Sequence, residues 1–246
     1  MTNINDIINT LNTIAEKNSI DVYLPCIGST TKVKSLTTKQ QKMFYTCIKD
    51  NILYNTKFII TAYDVIKENL LDKTILNILT IVDRDIILLA LRKQALGTKV
   101  KKADFTNCLN NANTIILPES KKITLDSITL ELQVPLATDQ YNMEWELRRN
   151  LDDIKLTLEE ITQNVVINNV VKFIKEIYIN DVAININNLS YADRINIAEK
   201  LPSEFLNLIQ VYAIEINDTT SSITIARVNE NSLLEFKINA DFFIDN

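Results

Sequence analysis

The 246-residue chain contains no histidine and only two glycines, Gly28 and Gly97. Without histidine, Ser-His-Asp and Cys-His catalysis are excluded, as is every metal site with an imidazole ligand. With two glycines, neither G-x-G-x-x-G nor G-x-x-x-x-G-K-[ST] can be written, so the familiar phosphate-cradling loops are excluded as well. The three cysteines, Cys26, Cys47 and Cys108, are scattered and odd in number. They suit a reducing compartment better than a secreted disulfide scaffold. The amino-terminal stretch lacks a basic region followed by an apolar run, and apolar runs elsewhere fall far short of the ~18–20 residues that span a bilayer. A soluble chain, intracellular when made, is expected. The net charge of −5 argues against a general polyanion binder.

What is present is an ordinary globular balance, 46% hydrophobic and 23% charged, enough for one large or two modest domains. The clearest local signal is Asp83 to Gly97, DRDIILLALRKQALG. Asp83 is placed to cap a helix, with Asp85 favoured by the dipole at the same end. Six apolar residues from Ile86 to Leu91 predict a helix buried on more than one face. Arg92 and Lys93 suit its last turns and Gly97 its left-handed stop.

Elsewhere, Asn5 to Lys17 carries an apolar stripe (Ile7, Ile8, Leu11, Ile14 and Ala15) at helical spacing, and this helix needs a surface to pack on. Residues 20–36 read as a hairpin about Gly28-Ser29-Thr30. Helices are predicted from Thr37 or Thr38 to about Leu53, from Phe58 to Leu71, and over the short piece Ile75 to Ile81. Period-two stretches at 99–101, 114–117 and 123–134, the last broken near Asp126-Ser127, predict a small antiparallel sheet. Further helices are expected over 138–151, from Asp152 toward Ile179, over 191–201 and over 204–216. Asp181 to Asn187 reads as a short turn or strand, and residues 223–238 as a second hairpin. The fold class is therefore α+β, mostly helical: an amino-terminal hairpin plus helices, a small antiparallel sheet, and a carboxy-terminal helical domain ending in a β-hairpin. The expected divisions are 1–18 as a helical arm, 19–137 around the central helix 83–97, 138–164 as connecting helices, and 165–246.

Several residue groups could carry chemistry. Asp83-Arg84-Asp85 matches a D-x-D pattern that can share a divalent cation, which leaves a carboxylate-dependent metal enzyme as one alternative. Capping accounts for the same acids. The doublets Asp152-Asp153 and Glu159-Glu160 cannot converge as helix neighbours and read as solvated surface. Cys108 lacks the companions of a zinc knuckle and reads as an idle thiol. Lysines at 32, 34, 39 and 42, and at 99, 101, 102, 121 and 122, leave a nucleic-acid-binding accessory protein as another alternative. Interleaved aromatics are missing, however, and a protein contact or plain solvation is the better reading. Phe242-Phe243 at the carboxy terminus either folds back onto the last hairpin or anchors a partner. The candidate partner-binding residues are Phe242, Phe243, Lys39 and Lys42. No catalytic, cofactor or metal residue is assigned.

Four segments in order resemble the baseplate hub assembly family of T4-like tailed phages. They are Val22 to Lys42 (VYLPCIGSTTKVKSLTTKQQK), Asp83 to Gly97, Val170 to Asp181 (VVKFIKEIYIND) and Leu233 to Phe243 (LLEFKINADFF). Each is a short apolar pattern; their order over most of the chain carries the resemblance. It departs where relatives carry a C-x-x-C-like pair, because the residue three places after Cys108 is Asn111, not cysteine. The resemblance implies a non-enzymatic morphogenesis protein, a hub assembly chaperone or minor hub subunit, without cofactor. Its partners would be phage baseplate hub or tail proteins rather than nucleic acid or membrane, with self-association left open. It would be found in the host cytoplasm during assembly, or in the virion baseplate.

Overall fold

The computed structural model describes residues 3–49, 53–100, 103–154, 157–180, 182–229 and 232–244. In chain order, helix α1 (Ile4–Lys17) precedes a hairpin of β1 (Ile20–Leu24) and β2 (Ser29–Val33). Helices α2 (Thr38–Cys47), α3 (Tyr54–Asn69) and α4 (Ile81–Leu96) follow, then β3 (Lys99–Val100), β4 (Ala103–Asp104) and α5 (Thr106–Asn111). Next come β5 (Lys121–Leu125), β6 (Ile128–Leu132), α6 (Ala137–Ile154), α7 (Leu158–Val171), β7 (Ile174–Ile179) and β8 (Val182–Asn185). The chain finishes with α8 (Tyr191–Lys200), α9 (Ser203–Thr220), β9 (Ile225–Asn229) and β10 (Ser232–Glu235). The fold is α+β and mostly helical, with small antiparallel sheets.

Two compact units divide the chain. The first takes residues up to Ile115 together with those from Ser222 onward; the second is Ile116–Ser221. The expected divisions at 18, 137 and 164 do not coincide with this split. The terminal hairpin, grouped by sequence with residues 165–246, instead completes the first unit. There β9 pairs with β4, giving the sheet order β10-β9-β4-β3.

In the first unit, alternation buries Val22 and Leu24 of β1 and Thr31 and Val33 of β2, and Gly28 supplies the positive φ (+70°) of the turn. A capping box between Thr37 and Gln40 starts α2. That helix ends at Cys47, short of the Leu53 expected. The piece expected to be helical at 75–81 is a 3₁₀ turn, Thr74–Asn77, followed by the cap of α4. The cap residue is Thr80, not Asp83. Asp83 is the third helical residue, closing the box by accepting from the Thr80 backbone N–H and hydroxyl. The helix is buried on nearly every side from Val82 to Arg92, and Gly97 ends it at φ +80°. Residues 115–117, expected as strand, are irregular, and Lys101 lies outside the described residues.

The second unit is built on the meander β5-β6-β7-β8, with α6 and α7 inserted between β6 and β7. Asp126 and Asn180 take the positive φ of its two tight turns. The Asp126-Ser127 break falls between β5 and β6 as expected. Ile123, Leu130, Leu132, Ile174 and Ile177 of the sheet are buried, as are Leu147 of α6 and Phe205, Ile209, Tyr212 and Ile216 of α9. The helix expected to run to Ile179 stops at Val171, and Ile174–Ile179 is a strand. A bulge opposite Glu131 and Leu132 turns both Ile174 and Ile177 inward, so a strand acquires the three-residue spacing of a helix.

Candidate functional site

Of the four candidate partner residues, two are interior and two are on the surface. Phe242 and Phe243 are only 2% and 3% exposed. They sit in a 3₁₀ turn (Asp241–Phe243) that returns the carboxy terminus into the first unit. The Phe243 ring stacks on Phe44 of α2, centroids 4.0 Å apart and planes 5° from parallel. Phe242 stacks on Phe236 at 5.3 Å and meets Phe105 at 5.4 Å. The tail thus packs beyond its own hairpin, against α2 and the start of α5.

Arg92 of α4, which is 0% exposed, holds this tail. Its Nε donates to the Phe242 carbonyl at 2.7 Å. Its two terminal nitrogens donate to the carbonyls of Gly97 (2.8 Å) and Lys99 (2.7 Å). The guanidinium also lies over the Phe242 and Phe105 rings, 5.5 and 5.9 Å from their centroids. The planar fork therefore serves three carbonyls from two places in the chain, a task suited to arginine and not lysine. Sequence reasoning gave Arg92 only a dipole role. The missed signal was its position directly after six apolar residues, on a helix buried on nearly every side. Near the tail, the Tyr54 hydroxyl lies 3.1 Å from Asp241, and burial pushes its pKa up.

Lys39 and Lys42 are exposed on α2, away from the inward Gln40, Phe44 and Cys47. The structure does not bring them to the phenylalanine pair. It does place Tyr45 at the next helical spacing, half exposed, with the Lys49 ammonium 5.5 Å from its ring centroid. Lys39, Lys42, Tyr45 and Lys49 make an outward basic and aromatic face. The aromatic member of this face was not anticipated. In the other lysine groups, Lys34 pairs with Glu16 at 2.9 Å and Lys122 with Glu131 at 3.5 Å.

The D-x-D acids do not converge. Asp83 is buried in its capping box and also accepts from the Cys26 backbone N–H at 3.2 Å. Burial pushes its carboxyl up, against the lowering influence of donors from Thr80 and Cys26. Asp85 is held by Arg84 at 2.7 Å. Cys108 is buried, its Sγ 3.3 Å from the Ile225 carbonyl, and burial raises its pKa to about 11. Where the resemblance would place a second cysteine, Asn111 donates to the Ser222 carbonyl at 3.2 Å. Among the described residues no group of three or more His, Cys, Asp or Glu could hold a metal ion, and no helix is long and apolar enough to cross a membrane. Glu159 and Glu160 are exposed, Glu160 capping α7 through Thr157. The side chains of Asp152 and Asp153 lie outside the described residues.

The second unit adds a groove of about 540 Å³ along α6 and α8, lined by Glu146, Arg149, Asn164, Tyr191, Ile195 and Asn196. Beside it the buried Arg194 pairs with Glu146, and Asp139 accepts from Asn187 at 2.8 Å. Burial pushes Asp139 up and Arg194 down, each partly offset by the other's charge. These partners lie dozens of residues apart in the chain, so no local spacing announced them. Two apolar helix faces are also open to solvent. Ile4, Ile7, Ile8, Leu11 and Ile14 line α1, which buries none of its residues; Leu208, Val211 and Ile214 line the outer side of α9.

Among the described residues the accessible features are the α2 face, the groove of the second unit and the apolar faces of α1 and α9. No curated protein and no solved structure matches the chain. A family model does match, described as T4 bacteriophage base plate protein, over residues 17–244. That span covers the first hairpin, the central helix, both sheets and the buried tail, and the chain therefore belongs to the T4 bacteriophage base plate protein family.

Proposed function

We propose that this chain acts without catalysis at the baseplate hub, as an assembly chaperone or a minor hub subunit. It would meet its hub partner through the outward face of α2. Membership of the base plate family across residues 17–244 carries this reading. Support comes from how the chemistry-bearing residues are engaged: Asp83 in a helix cap, Asp85 with Arg84, and Cys108 behind a backbone carbonyl. Support also comes from the α2 face, where Tyr45 offers a large amphipathic contact and Lys39, Lys42 and Lys49 offer charge for steering an acidic partner.

Co-expression with the hub proteins of the same phage is the test. A complex that survives purification, or a hub protein made more soluble, is expected. If every hub protein remains unbound at micromolar concentration, the proposal fails. Mass spectrometry of purified virions then separates the two roles, since a subunit remains in the particle and a chaperone does not.

A further inference from the structure

Helix α1 poses a problem that the proposed hub contact leaves open. It is 14 residues long and opens with a capping box between Asn3 and Asp6. It is tied to the rest of its unit near its end, where Glu16 meets Lys34 at 2.9 Å and Gln94 donates to the Asn18 carbonyl at 2.6 Å. Yet Ile4 and Leu11 are 71% and 59% exposed, and Ile7, Ile8 and Ile14 about half exposed. Helices this short are marginal in water when nothing covers their apolar face.

The stripe has a register. Ile4, Ile7, Leu11 and Ile14 fall at alternating steps of three and four, the a, d, a, d positions of two heptads. The residues flanking that seam are Ile8, Thr10, Ala15 and Lys17, so only one of the four is charged. The acids and asparagines, including Asn5, Asp6, Asn9 and Glu16, lie on the outer side. Charged flanks are what select an unlike helix or repel a like one. A seam almost without them is compatible with itself. In addition, all of α1 but its last residue, Lys17, lies ahead of the segment shared with the family, residues 17–244, so a contact common to the family need not involve its stripe.

We infer that α1 is covered by α1 of further copies of this chain, in a parallel bundle of more than two helices. Isoleucine at both a and d, or leucine at a with isoleucine at d, favours three or four strands over two. Size argues the same way. A helix ~21 Å long cannot by itself supply the ~800 Å² per partner of a standard interface. Facing two neighbours removes more of each stripe, including Ile8 beside the seam, than facing one.

Sedimentation equilibrium of the full chain, with no hub protein present, tests this independently of the proposed function. Wild type should form particles of three or four chains at micromolar concentration. Leu11→Glu should return the mass to 28.1 kDa with an unchanged thermal midpoint in the dilute, monomeric regime, because α1 buries nothing in the monomer. Asn9→Glu, on the outer side, should leave the oligomer intact. Wild type at 28.1 kDa at every concentration would overturn the inference. So would an oligomer unmoved by Leu11→Glu.

Discussion

Arg92 is where a single side chain decides most. One buried and two partly buried carbonyls accept from it, and removing the donor leaves the Phe242 carbonyl dry and unpaired. Arg92→Leu is therefore expected to cost at least ~3 kcal/mol of stability, with Arg92→Lys intermediate because an ammonium cannot present the same fork. Urea unfolding midpoints would measure both, and an Arg92→Leu protein as stable as wild type would refute the assignment. Phe243→Ala should fall in the ~3–5 kcal/mol range of large-to-small core changes, through the lost stack on Phe44. Asp83 shows how much of this detail was legible beforehand. Its role in starting a helix was readable from an acid ahead of an apolar run. Its exact place was not, because Thr80 lay in a stretch whose period gave no boundary. Burial then gives Asp83 an unusual sign. A carboxyl raised in the folded state is relieved by protonation, so its contribution to stability grows as pH falls.

At the scale of elements, the meander of the second unit holds a charge network on its solvent side. Glu131 of β6 accepts from Lys175 at 2.6 Å, lies 3.5 Å from Lys122, and meets the Tyr178 hydroxyl at 2.9 Å. That hydroxyl is also 2.5 Å from Glu176, and its single proton can go to only one carboxylate at a time. The Lys175 hydrogen bond, ahead of Tyr178 and Lys122, holds the Glu131 carboxyl below the ordinary glutamate range. A depressed acid stabilises the fold above its unfolded pKa, and that contribution is lost as pH falls through the folded one. Glu131→Gln should thus be less stable than wild type at neutral pH, and the gap should close as pH falls through the lowered folded-state pKa of Glu131. A gap that stays constant across the titration would contradict the network. The same strands show where reading by period fails. Val170, Phe173, Ile174 and Ile177 have helical spacing, yet the last two belong to a bulged strand, and a bulge leaves no local signature in side-chain type. The hairpins at 20–36 and 225–235 were legible because their turns carry glycine or polar runs and their strands alternate cleanly. The central helix was legible because its apolar run ends in Gly97.

For the whole molecule, the ends of the chain organise the first unit in different ways. The carboxy terminus crosses back to be nailed by Arg92, so a unit that begins near the amino terminus is finished only by the last residues. Sequence order concealed this, since nothing local to Phe242 names Phe44 or Arg92 as its neighbours. It also hid which member of the candidate site faces outward: the phenylalanines that looked like anchors are interior, while Lys39 and Lys42 are joined outside by Tyr45. The baseplate family was readable from the order of four short patterns, and the family match carries that reading across residues 17–244. The central claim is that the chain works by contact, through the outward face of α2. Calorimetric titration of the hub partner with wild type and with a Lys39→Glu/Lys42→Glu variant tests it most directly. The account predicts saturable binding, weakened about tenfold or more by the double charge reversal and by added salt. Equal affinity for both proteins at low salt, or no heat from either, would contradict it.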